Sequence, residues 1–230
     1  MRRATGRERA AMSEVEVVDL VVRHGDHRVV GPLSFSVAAG ERFGLRGPSG
    51  AGKSTVLRAL VGLLPPELTA TGSVRVHGFD VLRRNGDLAG LRARAVLVGQ
   101  IPVVFPDSIL GNAVFGLRHV ARMPPAELRE RAEVALREAG LWDEVCDRLH
   151  SPADQLSVGQ RQRLCFARAL ALDPSVLFLD EPTSALDAVA KSVVEAAIGG
   201  IRGTRAVVVV THDGEQLQRL CHDVLELGGA

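Results

Sequence analysis

A glycine-rich stretch that ends in a lysine constrains this fold more than any other part of the sequence. Residues 47–55 fit the pattern G-x-x-x-x-G-K-[ST] without a mismatch, and they are Gly47, Pro48, Ser49, Gly50, Ala51, Gly52, Lys53, Ser54 and Thr55. Residues 42–46 before the pattern read as a strand, and residues 56–64 after it read as an apolar helix. The pattern indicates a phosphate-binding loop only when a strand leads into it and a helix follows it, and both are predicted here.

The chemistry of this loop suits a chain of phosphates. Glycines let the backbone wrap closely enough for successive N–H groups to point at phosphate oxygens, and the helix N-terminus adds partial positive charge. Lys53 would bridge the β- and γ-phosphates, and the Ser54 hydroxyl would reach Mg²⁺. The alternative is a glycine-rich turn with a chance lysine, which is disfavoured because the flanks and the pattern agree. The sequence therefore predicts a site for a nucleoside triphosphate and Mg²⁺.

Length and composition limit the remaining possibilities. The 230 residues are 46% hydrophobic and 24% charged, which suits one large domain or a domain with an added lobe. A net charge of +1 gives no electrostatic case for binding nucleic acid. The three cysteines have no metal-site or disulfide spacing, which suits a reducing cytoplasm. No apolar run approaches the ~20 residues of a membrane span, so any link to a membrane must come through a partner.

The order of predicted elements indicates an α/β fold. Residues 1–12 are rich in arginine and are expected to be a disordered tail, unless translation starts at Met12. Strand and helix patterns then alternate, which is typical of a parallel sheet covered on both faces. We predict a single domain over 13–230, with a core at 13–100 and 174–230 and a helical lobe at 101–173. In detail, 32–37 and 42–46 read as a hairpin, and 83–94 reads as a polar surface segment.

Two consecutive acids follow a short apolar strand, residues 176–179. A buried strand would deliver Asp180 to the Mg²⁺ site, directly or through water. Glu181, one residue later, could polarise the attacking water as general base. A strand that ends in ordinary helix-capping acids is common, but it is an unlikely coincidence downstream of a phosphate loop.

Three further positions can be given a function only because the phosphate loop and the two acids are also present. Gln100 follows a predicted strand and could contact Mg²⁺ or the water, and His212 follows another strand and could touch the γ-phosphate. Residues 156–160 open a helix, with Ser157 as its N-cap, and a helix start is a second anion site. This site lies far from the first in sequence, which suggests that it serves another nucleotide.

Taken together, these residues resemble the nucleotide-binding subunits of ABC transporters over nearly the whole chain. The resemblance implies a P-loop NTPase core of ABC type with an N-terminal β subdomain and an inserted helical subdomain. It implies ATP hydrolysis with ATP and Mg²⁺, in a head-to-tail homodimer that holds each ATP between one phosphate loop and the partner's signature. By this resemblance the signature is Ser157, Val158, Gly159 and Gln160, and the loop crossing to the partner is Ser184, Ala185, Leu186 and Asp187.

The resemblance also implies partners and a location. These are a second ATP-binding subunit, two membrane permease subunits and an extracytoplasmic substrate-binding protein, with no nucleic acid. The expected location is peripheral, at the cytoplasmic face of the cell membrane. Residues 105–112, 141–150 and 162–170 are most similar to the ATPases of bacterial phosphate importers, which implies phosphate or a related oxyanion as cargo.

Alternatives and departures from the family pattern stay open at this point. The alternatives are an ABC ATPase for another cargo, such as a polar amino acid importer or an exporter, a DNA-maintenance ATPase, and a nucleotide sensor without turnover. The DNA class is disfavoured because the roughly 100 residues between Thr55 and Ser157 carry no sustained heptads. Val158 replaces a usual glycine, Gly99 replaces an aromatic residue, and the chain has no tyrosine to stack on adenine. His24 lies near that place and could stack more weakly.

Overall fold

The computed structural model describes residues 13–83, 87–184, 186–201 and 203–228. Its strands are β1 (Ser13–His24), β2 (His27–Ala38), β3 (Arg42–Arg46), β4 (Leu68–Val76), β5 (Phe79–Asp80), β6 (Ala95–Val98), β7 (Val176–Asp180), β8 (Ala206–Thr211) and β9 (Asp223–Glu226). Its α-helices are α1 (Lys53–Leu60), α2 (Leu88–Arg94), α3 (Ile109–Ala113), α4 (Phe115–Val120), α5 (Pro125–Glu138), α6 (Trp142–Val145), α7 (Val158–Ala171), α8 (Ala188–Gly200) and α9 (Gly214–Leu220).

Contacts divide the chain into two units. The first unit comprises the described parts of residues 1–97, 175–180 and 202–230, and the second comprises those of 98–174 and 181–201. The first unit contains both sheets except for Val98, the last residue of β6. It also contains α1, α2 and α9. The second unit contains α3 to α8.

The first sheet is antiparallel, with strand order β2-β1-β4-β5. β1 and β2 form a hairpin that turns at Gly25, where φ is +55° and a glycine is favoured. The predicted hairpin between 32–37 and 42–46 is wrong, because β2 pairs with β1 while β3 lies in the other sheet. Phe43 and Leu45 make β3 an apolar strand suited to a central position, where neighbours cover both of its sides.

The second sheet has the order β6-β7-β8-β3-β9. β3 pairs in parallel with both β8 and β9, and β7 pairs in parallel with β8. Every residue of β7 and β8 is buried, which is typical of a parallel sheet covered on both faces. The rings of Phe35 on β2 and Phe43 on β3 stack with centroids 5.0 Å apart, so one apolar core joins the two sheets.

The second unit is built on α5 and α7. Pro125 occupies the first turn of α5, and Gly140 ends the helix with φ +65°. The sequence predicts an apolar stripe of Leu128, Ala132, Leu136 and Ala139 on this helix. The last three are buried, and Leu128 is partly buried. In the first unit, α2 occupies part of the segment predicted to be surface, because Asp87 caps the helix at the Gly90 N–H and Leu91 is fully buried.

Candidate nucleotide site

The phosphate loop joins β3 to α1 in the first unit. Gly52 is the N-cap of α1 with φ +82°, a conformation that favours glycine. A Cβ added there would lie 2.8 Å from the Val30 Cβ on β2, so β2 fixes how closely the loop can pack. The structure therefore requires glycine at this position on two independent grounds.

The start of α1 is suited to an anion. No side chain caps the helix, and its first turn contains no acid, so neither competes for the N–H groups there. Lys53 is buried, with 7% of the residue exposed. Its Nζ donates to the carbonyl oxygens of Gly47 at 2.8 Å and Pro48 at 2.9 Å. The ammonium group therefore lies across the loop where phosphate oxygens would compete for it.

The two predicted Mg²⁺ ligands of the first unit lie side by side. The Ser54 hydroxyl donates to Asp180 Oδ1 at 3.0 Å, although the residues are 126 positions apart. Among the described residues, no group of three or more His, Cys, Asp or Glu side chains could hold a metal ion. Mg²⁺ commonly takes one or two protein oxygens together with phosphates and water, so this oxygen pair fits the ion.

Parallel strand ends place more of the predicted residues at the same edge of the second sheet. Arg46, the last residue of β3, is in register with Thr211, and Asp180 is in register with Val210. The phosphate loop, Asp180 and His212 therefore all follow carboxyl ends of neighbouring parallel strands. His212 is exposed.

Glu181 and Gln100 lie in the second unit, and each forms a hydrogen bond with Ser184 in the turn after β7. Glu181 is 9% exposed and has φ +46°, which is unusual for a residue with a side chain. Its carbonyl accepts from the Ser184 N–H at 3.2 Å. Gln100 Nε2 donates to Ser184 Oγ at 3.3 Å. Ser184 thus bonds to the backbone of Glu181 and to the side chain of Gln100.

The signature residues open α7 with a reciprocal cap. Ser157 Oγ accepts from the Gln160 N–H at 3.3 Å, and Gln160 Oε1 accepts from the Ser157 N–H at 3.0 Å. The N–H groups of Val158 and Gly159 lie in the first helical turn, where a helix supplies no acceptor. An anion approaching this end of α7 would meet these two donors.

A cleft of about 370 Å³ opens beside this cap, within the second unit. Ser157, Val158 and Gly159 line it together with Leu186 and Asp187 of the predicted dimer loop. Residues predicted to contact the partner's ATP therefore share one cleft with residues of the loop predicted to cross to the partner. Asp187 also caps α8 through the Ala190 N–H at 2.8 Å, while Ala185 lies outside the described residues.

His24 lies at the tip of the first hairpin, paired with His27, and is exposed. Its contact with adenine stays a prediction.

Sequence reasoning missed Glu144 and Arg163, which contact the signature cap. Glu144 accepts from Gln160 Nε2 at 2.8 Å and from Arg163 Nη1 at 2.5 Å. Residues 141–150 had been singled out only as a stretch of subfamily resemblance. A contact between this stretch and the signature needs the fold, since no periodic pattern relates the two.

Comparisons with known proteins identify the family. Residues 30–184 match the family model described as ABC transporter. The phosphate import ATP-binding protein PstB of Pseudoalteromonas translucida is 40% identical over 208 residues, which cover 90% of this chain and 76% of that protein.

Two solved structures share the fold. One is the dimeric structure of a post-hydrolysis state of the ATP-binding cassette MJ0796 bound to ADP and Pi, with a TM-score of 0.80 and 27% identity over 93% of this chain and 94% of that chain. The other is cbiO1 from Clostridium perfringens, part of the ABC transporter complex cbiONQ, with a TM-score of 0.79 and 26% identity over 94% of this chain and 84% of that chain. With this fold, a complete phosphate loop and a family match over more than half of its length, the chain belongs to the ABC transporter family, as one of its ATP-binding ATPases.

Proposed function

We propose that this chain powers the import of phosphate or a related oxyanion as the ATP-hydrolysing subunit of an ABC transporter. The observation that carries the cargo is the 40% identity to a phosphate import ATP-binding protein over 90% of the chain. The chemistry of hydrolysis is supported by the adjacent Ser54 and Asp180 oxygens at the start of α1.

The residues of the first unit hold the nucleotide. Loop amides and Lys53 bind the phosphates, and Ser54 and Asp180 hold Mg²⁺. When bound, Mg²⁺ neutralises phosphate charge and orients the γ-phosphate. His212, at the end of β8, contacts the γ-phosphate and keeps it in place. His24 stacks on the adenine.

The residues of the second unit handle water and the partner. Glu181 accepts the proton of the attacking water as general base, and Gln100 orients that water and contacts Mg²⁺. The cleft at the start of α7 receives the ATP of a second copy, whose phosphates accept from the N–H groups of Val158 and Gly159. Ser157 and Gln160 complete the signature, and the segment 184–187 crosses to the partner. A dimeric structural neighbour bound to ADP and Pi supports this assembly.

The remaining partners follow from the family. Two permease subunits and an extracytoplasmic binding protein carry the cargo, while this chain sits peripherally at the cytoplasmic face of the membrane. A structural neighbour that is part of a transporter complex supports association with other subunits. Among the residues described, no helix has the length and apolar character needed to cross a bilayer.

The cargo is tested by stimulation of ATP hydrolysis in the assembled transporter. The chain is co-purified with its neighbouring membrane subunits and binding protein in lipid nanodiscs, and ADP formation is followed so that added phosphate does not interfere. We expect phosphate or arsenate to stimulate ADP formation, with sulfate and glutamine far weaker. A complex with Glu181→Gln is the control, and its rate should fall by at least about 10² because the general base is lost. Stimulation by a polar amino acid alone would overturn the oxyanion assignment.

A further inference from the structure

The carboxylate of Glu144 on α6 is shared between two side chains of α7. Its Oε2 accepts from Gln160 Nε2 at 2.8 Å, and its Oε1 accepts from Arg163 Nη1 at 2.5 Å. One of these partners, Gln160, closes the cap around the signature. Glu144 therefore reaches the signature through a single intervening side chain.

The contact with Glu144 determines which way the Gln160 amide faces. A carboxylate only accepts hydrogen bonds, so the amide must present Nε2 to Glu144 and its oxygen to the Ser157 N–H. In the flipped orientation, an NH₂ group would face the Ser157 N–H and the reciprocal cap would be lost. Glu144 thus selects the orientation in which Gln160 completes the cap beside the N–H groups of Val158 and Gly159.

Arg163 holds Glu144 in position. Its side chain is only 7% exposed, and Nη1 also donates to the Gly140 carbonyl at 2.6 Å, next to the end of α5. The hydrogen bond from this guanidinium lowers the pKa of the Glu144 carboxyl, so the group stays charged at neutral pH. The Glu144 side chain is itself 43% exposed, and solvent weakens the pair accordingly. Glu144 therefore acts mainly by orienting the Gln160 amide, and its ion pair adds little to the stability of the fold.

We propose that Glu144 is a positioning residue that sets the signature cap for the ATP of a second copy of this chain. The inference rests on the proposed function, because it requires the cleft at the start of α7 to receive the partner's nucleotide. Glu144 also lines this cleft, and the proposed effect is exerted through its hydrogen bond to Gln160. Losing its acceptor should weaken ATP-dependent pairing of two chains and leave nucleotide binding by each chain's own phosphate loop intact.

The test uses the full chain carrying Glu181→Gln, in which ATP is held without turnover and the dimer accumulates. The dimer dissociation constant is measured with MgATP by sedimentation velocity, and nucleotide affinity of the monomer with a fluorescent ATP analogue. Glu144→Gln should weaken the dimer about tenfold, because Gln160 Nε2 and Arg163 must then share one amide oxygen as acceptor, while the nucleotide affinity of the monomer stays unchanged. Asp143→Asn is the matched control, because it removes the same charge from the same helix outside this network, and it should dimerise like the parent.

A reciprocal exchange separates positioning from a general loss of structure. In the double variant Glu144→Gln with Gln160→Glu, the new glutamine can donate to the new carboxylate and accept from Arg163. The new carboxylate can also accept from the Ser157 N–H, so the cap is complete again. We expect the double variant to dimerise at least about fivefold more tightly than the Gln160→Glu single variant, in which two carboxylates meet.

The possible outcomes test the role of Glu144 separately from the head-to-tail dimer. A Glu144→Gln protein that dimerises as tightly as Asp143→Asn overturns the role of Glu144 while the dimer stands. A double variant no tighter than Gln160→Glu also overturns it, because orientation is then irrelevant. A parent that stays monomeric with MgATP contradicts the head-to-tail assembly itself, and the role of Glu144 fails with it.

Discussion

Asn112→Ala should be among the most destabilising single substitutions in the second unit. Asn112 is fully buried, and its amide has five hydrogen-bond contacts, with its two N–H groups shared among three carbonyls. Its Oδ1 accepts from the Phe105 N–H at 2.8 Å and from Arg168 Nη2 at 2.7 Å. Its Nδ2 donates to the carbonyls of Phe105, Asp107 and Ser108 at 3.0–3.2 Å. This one amide therefore organises the turn that leads into α3.

The expected loss of stability follows from the groups left without a partner. A buried N–H that loses its acceptor, here that of Phe105, costs about 1–3 kcal/mol. Arg168 loses a charge-assisted bond but keeps the carbonyls of Val103 at 3.0 Å and residue 112 at 3.2 Å, so its share is smaller. The Ser108 carbonyl also keeps its helical donor at 2.9 Å. We expect a total loss of about 3 kcal/mol in the free energy of unfolding.

The only tryptophan of the chain makes this prediction easy to measure, because Trp142 lies in the same unit. Urea unfolding followed by tryptophan fluorescence should show a midpoint lowered by about 1–2 M. The control is Ser108→Ala, which removes one cap bond to the Gly111 N–H and should cost about 1 kcal/mol. An Asn112→Ala protein that loses no more stability than this control would refute the reasoning.

Two further predictions concern the nucleotide. Lys53→Ala should weaken binding of a fluorescent ATP analogue by about a hundredfold, because the one lysine of the loop is lost, and an unchanged affinity would count against the phosphate site. His24→Ala should weaken ATP binding about threefold and leave the binding of inorganic tripolyphosphate unaffected, because only the stacking contact is removed. Equal effects on both ligands in isothermal titration would show that His24 is a turn residue without a contact to adenine.

The parts of the fold that depend on local pattern were predictable from the sequence. The sequence predicts strands at 95–98, 176–179 and 206–210 and helices that open at 124–125 and span 159–172, and these agree to within a few residues with β6, β7, β8, α5 and α7. Each has an apolar run or stripe with clear capping or breaking residues. The same holds for the phosphate loop, whose glycine at position 52 is required by backbone geometry. The neighbouring Ser54 and Asp180 were expected at one site because a motif specifies each of them.

The parts that depend on pairing between distant elements were not predictable. Nothing local in β3 says that its partners are β8 and β9 and not the preceding strand, which is why a hairpin was predicted. Strand β9 was missed, since a four-residue edge strand carries little signal. The contact of Glu144 with Gln160 was missed because no local pattern relates the short helix of Glu144 to the signature. In each case tertiary contacts determine the outcome.

The pairing of β3 with β9 also has a consequence for biosynthesis. Arg42 at the start of β3 bonds to His222 just before β9, across 180 positions of sequence. The sheet around the strand that leads into the phosphate loop is thus complete only when β9 has been made, whereas the β1–β2 hairpin closes locally. Contacts this remote in sequence slow folding and leave apolar strands uncovered while the chain grows on the ribosome. The nucleotide site should therefore form only after residues 223–226 have left the ribosome.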